Sequence, residues 1–339
     1  MNVLVTGANG FLGRHVTAAF LGRGHRVRAL VRPTARLDGP LWQAVDVVRA
    51  DLRNGRNLDR ALDGVDVLAH LAACVAGDDE TRFLHTVVGT ERLLAAMAGA
   101  APRRIVLASS FAVYDWSAAR GTLTEETPVE TRIYERDGYA VAKLWQERIV
   151  RRAAARDGRE LVVVRPGFIW GRENRELSGV AYRVGPAHLV LGARTRLPLT
   201  HVENCADLFV LAAESPAAAG ETFNAVDDEG VLAARWIREF VRRTDAGGFR
   251  VVLPYAVTMT AIRAGHWLAR RTFGAHAKLP GLLVPRQFQA RFKPLRFSNR
   301  KARERLGWTP RLSFAECLER TYEPARDGIG APALATDAR

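Results

Sequence analysis

The chain opens on a short, apolar, β-branched run, Asn2-Val3-Leu4-Val5-Thr6, that passes directly into Gly7-Ala8-Asn9-Gly10-Phe11-Leu12-Gly13. Such a run predicts a buried parallel strand. The glycine spacing then restricts what can follow it. Gly7 permits a tight turn, Gly10 lets backbone approach a phosphate with no Cβ in the way, and Gly13 lets the next helix pack closely on the sheet. The free N–H groups at the start of that helix, around Phe11 and Leu12, favour an anion, so the segment predicts a strand–turn–helix able to hold a dinucleotide pyrophosphate. Glycine-rich turns after strands are common, and the segment gains weight only from what comes later in the chain.

The later signal is Tyr139-Ala140-Val141-Ala142-Lys143. It begins a stretch, Tyr139 to Ala155, whose Ala, Arg and Lys content predicts a helix, with Tyr139 and Lys143 on one face. A free tyrosine titrates near about 10, too high for efficient proton exchange at neutral pH, and a neighbouring ammonium favours the phenolate. Lys143 is expected to supply that ammonium and depress the Tyr139 pKa. An isolated Tyr-x-x-x-Lys is usually an ordinary amphipathic helix, so the reading depends on the company the pair keeps.

That company is an alternation of strands and helices. Strands are expected at residues 2–6, 26–31, 46–49, 65–70, 104–108 and 161–165, with helical patterns between them, which predicts an α/β fold built on a doubly wound parallel sheet. The crossover after the fourth strand reads as helical from about Glu80 to Ala98, ended by Pro102. Beyond residue 167 the alternation weakens, and residues 327–339 are expected to fray.

The two motifs resemble those of the short-chain dehydrogenase/reductase superfamily, and more closely its extended branch: the NAD(P)-dependent epimerases, dehydratases and 3β-hydroxysteroid-type dehydrogenases. Further matching segments are Asp51-Leu52, Leu68-Ala69-His70-Leu71-Ala72-Ala73, Gly89-Thr90, Ser109-Ser110-Phe111-Ala112-Val113-Tyr114, Arg165-Pro166-Gly167 with Trp170-Gly171, His201-Val202-Glu203-Asn204, and Lys301-Ala302 with Leu306-Gly307-Trp308-Thr309-Pro310. The resemblance implies a Rossmann domain at 1–167, rejoined by 203–226, and a smaller substrate lobe from 168–202 and 227–326, with the active site between them. It also implies that Ser110 hydrogen-bonds the substrate oxygen, that Tyr139 gives or takes its proton, and that Lys143 binds the nicotinamide ribose. Ser109 is expected to be structural. Asp51 and Leu52 would face the adenine, Leu71, Ala72 and Ala73 would line the cofactor channel with Pro166 also meeting the cofactor, and His70 is expected to be packed rather than titrating.

Cofactor choice turns on the end of the second strand. An NAD enzyme usually carries Asp or Glu there to accept from the ribose 2′-hydroxyl, whereas this chain has Arg32, which suits a 2′-phosphate; NADP(H) is favoured over NAD(H). Two departures from the family pattern bear on substrate. Thr86 stands where many relatives have Asn, which puts a stabilising hydrogen bond in doubt. Arg165-Pro166-Gly167-Phe168 lacks the Asn that nucleotide-sugar epimerases use after the sixth strand. Arg172, Arg175, Arg183, Arg194 and Arg196 could still meet a diphosphate.

The net charge of +14 admits a nucleic-acid reading, but only Lys143, Lys278, Lys293 and Lys301 of the 50 basic residues are lysines. Arginine dominates all along the chain, as codon bias would produce, and no nucleic-acid motif appears. Cys74, Cys205 and Cys317 show no metal-ligand spacing, so reduced thiols and no metal site are expected. Because the sequence opens on its first strand, no signal peptide and a cytoplasmic enzyme are expected. The region from Pro254 to His276 reads as a helix with apolar and basic sides, either a lid or core helix or a peripheral contact with an anionic membrane. The family habit of pairing through the crossover helix and the Tyr139 helix makes a homodimer an expectation. The leading functional expectation is an oxidoreductase interconverting a secondary alcohol and a ketone by hydride transfer on a small or apolar substrate. The alternative is a nucleotide-sugar epimerase or dehydratase with tightly held NAD.

Overall fold

A computed structural model of the chain describes residues 1–97, 102–175, 181–184, 187–244, 249–274 and 279–323. Seven strands form its central sheet: β1 (Asn2–Thr6), β2 (Arg26–Val31), β3 (Asp46–Arg49), β4 (Val67–His70), β5 (Arg104–Ala108), β6 (Glu160–Pro166) and β7 (Thr222–Ala225). Their order is β3-β2-β1-β4-β5-β6-β7, and every neighbouring pair is parallel. The six strands expected from sequence are all present, β4 starting two residues later than expected. Chain direction across the sheet reverses between β1 and β4, where a doubly wound sheet opens its ligand crevice.

Both faces of the sheet are covered, which is why its strands are apolar without alternation. One face packs Val3, Val5, Ala29 and Val162 under the helices α1 (Phe11–Gly22) and Val202–Glu214, through Phe20 and Phe209. The other packs Leu4, Leu68, Ile105 and Val163 against Leu93 and Val150 of the crossover helix and the Gly138–Arg156 helix. The crossover begins at Asp79, one residue from expectation, but is not uniformly α-helical. A single π turn, Leu84–Val88, separates Asp79–Phe83 from Gly89–Ala96. The expected end at Ala98 and the tail at 327–339 lie outside the described residues.

The His201–Asn204 motif is a docking point. Asn204 takes the backbone of Leu312 with both ends of its amide, at 2.9 and 3.0 Å, and its carbonyl accepts from the Trp308 indole at 3.2 Å. The Leu306–Pro310 motif thereby closes over the Rossmann core. Beyond β6 a three-stranded sheet (Ala181–Val184, Ala187–Leu191, Phe249–Leu253) and the helices Ala233–Thr244, Tyr255–Phe273 and Pro285–Phe292 make up a separate layer with its own apolar clusters.

Candidate active site

All the residues expected to meet cofactor lie at the carboxyl end of the parallel sheet. Gly7 follows β1 with φ of +69°, and a Cβ on it would sit 2.9 Å from the Ala72 backbone. The Leu71–Ala73 segment after β4 therefore rests directly on the turn, where Ala72 N–H also donates to Thr6 Oγ1 at 3.3 Å. A Cβ on Gly13 would lie 2.1 Å from the Gly7 carbonyl, so the first turn of α1 is pressed onto the loop. Helix α1 starts at Gly10 with no side-chain cap and no acidic residue in its first turn. Its N–H groups, around half-buried Phe11 and Leu12, are thus left to an anion, which fits a dinucleotide pyrophosphate. Pro166 is buried at the end of β6.

At the adenine end, Arg32 is exposed just past β2. Asp51 does not present a free carboxylate: Arg53 binds both its oxygens at 2.6–3.0 Å, and the Arg53 hydrogen bond holds Asp51 below the usual carboxylate range. Leu52 packs against Gly89 of the crossover. The same Arg53 lies 3.3 Å from His85 Nε2, and the His85 imidazole is pushed down by burial, then by the charges of Arg53 and, more weakly, Arg32. Arg32 and Arg53 thus form a basic rim beside His85, of which sequence reading identified only Arg32.

The Ser110–Tyr139–Lys143 group forms at the end of β5. Asp137 caps the Gly138–Arg156 helix by accepting from Ala140 N–H at 3.0 Å, which fixes where the helix begins and so where Tyr139 sits. Ser110 Oγ accepts from Ala112 N–H at 3.1 Å, leaving its proton to donate, and it lies near enough to Tyr139 to favour the phenolate. Lys143 is buried one turn on, donating to the Ala108 carbonyl at 2.7 Å and to Gln146 Oε1 at 2.8 Å. The expected depression of the Tyr139 pKa is not found. Burial raises it, proximity to Ser110 opposes that, and Lys143 spends two of its three protons on Ala108 and Gln146 instead. Lys143 itself is pulled down to about 7 by burial, against the pull of Glu147.

Behind Lys143 is a buried polar network. Gln146 Nε2 donates to the Ala72 carbonyl and to Thr90 Oγ1, each at 3.0 Å, while Thr90 gives its own proton to the Thr86 carbonyl at 2.5 Å. Thr90 can then only accept from His70 Nε2, 2.9 Å away, which leaves His70 Nδ1 to accept from Thr6 Oγ1 at 2.7 Å. With burial pushing its pKa down to about 3, His70 is a neutral packing residue, as expected. Thr86 resolves the first departure: its hydroxyl accepts from Cys74 N–H at 2.9 Å, so the Leu71–Ala73 segment is tied to the crossover without an Asn. Gln146 was missed in the sequence, although its position three residues after Lys143 places it on the same helical face.

Ser109 is structural. It donates to Glu147 at 2.6 Å, and Glu147 also takes Arg165 at 2.5 and 3.2 Å. The Arg165 guanidinium lies over the Tyr114 ring, whose hydroxyl donates to Asn224 at 2.7 Å, so one buried set joins β5, β6, β7 and the Tyr139 helix.

Comparison with known proteins decides the lineage of this site. The sequence matches the NAD dependent epimerase/dehydratase family over residues 3–225. The chain belongs to that family. It is an NAD(P)-dependent enzyme of the extended short-chain dehydrogenase/reductase type, 28% identical over 98% of both chains to the 4-hydroxy-2-methyl-3-oxo-4-farnesyl-3,4-dihydroquinoline-1-oxide ketoreductase of Stigmatella aurantiaca. It is 27% identical to the 3-beta-hydroxysteroid dehydrogenase of Mycolicibacterium neoaurum, over 93% of this chain and 90% of that one. The crystal structure of gox2253 superposes with a TM-score of 0.76 at 26% identity, over 94% of this chain and 96% of that one.

Of the arginines considered for a diphosphate, Arg172 holds the Arg320 and Glu323 carbonyls and Arg196 holds the Gly230 carbonyl. Arg175 and Arg194 are exposed, and the side chain of Arg183 lies outside the described residues. Gly167, where the nucleotide-sugar enzymes lead into their Asn, has the Pro198 carbonyl 2.0 Å from where a Cβ would be.

Proposed function

We propose that this family member is an NADP(H)-dependent oxidoreductase of secondary alcohols and ketones, working on an apolar substrate and poised toward ketone reduction. The observation that carries the reading is the placement of Ser110, Tyr139 and Lys143 together at the carboxyl end of β5, with Lys143 held by Ala108 and Gln146. A phenol raised above its ordinary value stays protonated at neutral pH and is a proton donor. When bound, the nicotinamide supplies the hydride. The chain's own part is to move the proton: Tyr139 donates it to the carbonyl oxygen, Ser110 donates a hydrogen bond to the same oxygen, and Lys143, fixed by Ala108 and Gln146, holds the ribose.

The basic rim of Arg32 and Arg53 supports NADP(H), because Asp51, the nearby carboxylate, is already neutralised by Arg53. An apolar substrate is supported by the cations at the start of the lobe. Arg172 and Arg196 are spent on backbone carbonyls, so two of the five arginines are not free to grip a sugar diphosphate. The names of the ketoreductase and hydroxysteroid dehydrogenase relatives point the same way. The test is cofactor turnover: the purified protein should oxidise NADPH stoichiometrically with an apolar ketone and carry no NAD through purification. Tightly retained NAD, with no net turnover, would favour the epimerase alternative.

A further inference from the structure

The charge of this chain is concentrated in one segment. Residues 246–303 contain 12 basic residues and no Asp or Glu, so the remainder of the chain carries a net charge of only about +2 of the +14. Some of those cations are neutralised across the fold: Arg286 pairs with Glu130, Lys301 with Glu221 and Arg303 with Asp228. Arg263, Arg270 and Arg271 differ. All three are exposed on the Tyr255–Phe273 helix, and none has a carboxylate partner among the described residues.

The same helix has two apolar sides. Tyr255, Met259 and Ile262 face inward, onto Phe288 and Phe292 of the Pro285–Phe292 helix. A surface helix should be polar on the opposite side. Here positions 257, 261, 264 and 268, spaced to form one outward stripe, are Val, Ala, Ala and Leu. Val257 is 64% exposed, Leu268 57% and the adjacent Trp267 63%, with Arg271 5.8 Å over the Trp267 ring. Phe273 at the end of the helix is exposed as well, as are Phe249 and Val252 on the Phe249–Leu253 strand that leads into the helix, a strand that among the described residues pairs on one edge. No helix among the described residues is long and apolar enough to cross a membrane.

We infer that the Tyr255–Phe273 helix with the Phe249–Leu253 strand is a docking surface for an anionic lipid membrane, on which the helix lies in the interface with Trp267, Leu268 and Val257 among the headgroups and Arg263, Arg270 and Arg271 on their phosphates. Charge selects this occupant. A second copy of the chain in a two-fold dimer would set the basic patch against itself, whereas an anionic leaflet complements it. Aliphatic side chains at the centre of the patch gain by leaving water for lipid and have no use for a nucleic-acid backbone. The placement also matches an apolar substrate. The patch helix packs on Pro285–Phe292, whose Arg286 pairs with Asp115 and Glu130, while nearby Lys293 holds the Trp116 and Ala119 carbonyls just after Ser110. The surface itself does not depend on which ketone is reduced.

The experiment is sedimentation of the full chain with vesicles of phosphatidylcholine alone or of phosphatidylcholine mixed with phosphatidylserine or phosphatidylglycerol, the anionic lipids giving the negative surface of a cytoplasmic leaflet, with no substrate or cofactor. Binding to the anionic vesicles at low salt, absent on the neutral ones and weakened as salt is raised, is the expected result. At about fivefold per basic residue near the surface, Arg270→Ser with Arg271→Ser should lower partitioning by about twenty-fivefold. Trp267→Ser with Leu268→Ser should lower it further at high salt, where the apolar contribution remains. Both pairs are exposed, and unchanged melting temperatures would exclude misfolding as the cause. Failure to bind anionic vesicles at low salt would overturn the inference. So would a concentration-dependent dimer that Trp267→Ser with Leu268→Ser dissociates, or tighter retention on an RNA homopolymer than on the anionic vesicles. NADPH turnover is not read in this assay, so its outcome is separate from that of the proposed reaction.

Discussion

Glu147 is the residue on which the carboxyl end of the sheet depends most. It accepts from Ser109, Arg151 and Arg165 while almost completely buried, and although burial pushes its carboxyl up, the hydrogen bond and charge of Arg165, then Arg151 and Ser109, bring it to about 2. Against its ordinary 4.5, that depression corresponds to about 3 kcal/mol of stability at neutral pH. Seen from the other partner, Glu147→Gln keeps the shape but leaves Arg165 charged and buried, at a cost of about 3–5 kcal/mol. The two figures overlap. At about 2 °C per kcal/mol for a chain of this size, Glu147→Gln should lower the melting temperature by about 6–10 °C at pH 7. A depressed carboxyl gives stability that is complete above the unfolded value and lost as pH falls through the folded one, so wild type and variant should converge between pH 4.5 and about 2. Circular-dichroism melts across that range are the assay. A difference under about 1 °C at pH 7, or one that does not shrink on acidification, would refute the reasoning.

Two further outcomes follow from the cofactor end. Gly13→Ala places a Cβ 2.1 Å from the Gly7 carbonyl, where only backbone can yield, and should weaken NADPH binding by at least about tenfold in a fluorescence titration; unaltered affinity would remove the turn from pyrophosphate binding. Arg32→Asp should weaken NADPH by on the order of tenfold to a hundredfold and NADH by less, since a charge-assisted pair becomes a repulsion. Equal losses for both cofactors would take Arg32 out of the specificity role.

The parts of the fold legible in sequence are those specified locally. Strand, glycine turn and helix follow one another within Asn2–Gly22, and Tyr139 with Lys143 needs only the helical repeat. What sequence reading missed depends on contacts between distant segments. Gln146 acquires its role only because the crossover brings Thr90, and the end of β4 brings Ala72, to the same amide. The Tyr139 pKa was misjudged for the same reason: four residues of spacing say that Lys143 shares its face, but not that the ammonium is already taken by Ala108. Arg53 lay two residues from the expected Asp51 and altered what that carboxylate can do. The basic segment is a different case. A windowed count of acids would have found it in the sequence, whereas the even spread of arginine over lysine conceals it.

The most direct test of the proton-donor assignment is single-turnover NADPH oxidation by Tyr139→Phe in the presence of a turned-over apolar ketone. The substitution removes the hydroxyl that Ser110 contacts and keeps the ring, so folding and NADPH affinity should persist while the rate falls by on the order of a hundredfold or more. Near-normal turnover by Tyr139→Phe, with NADPH affinity intact, would contradict the account at its centre.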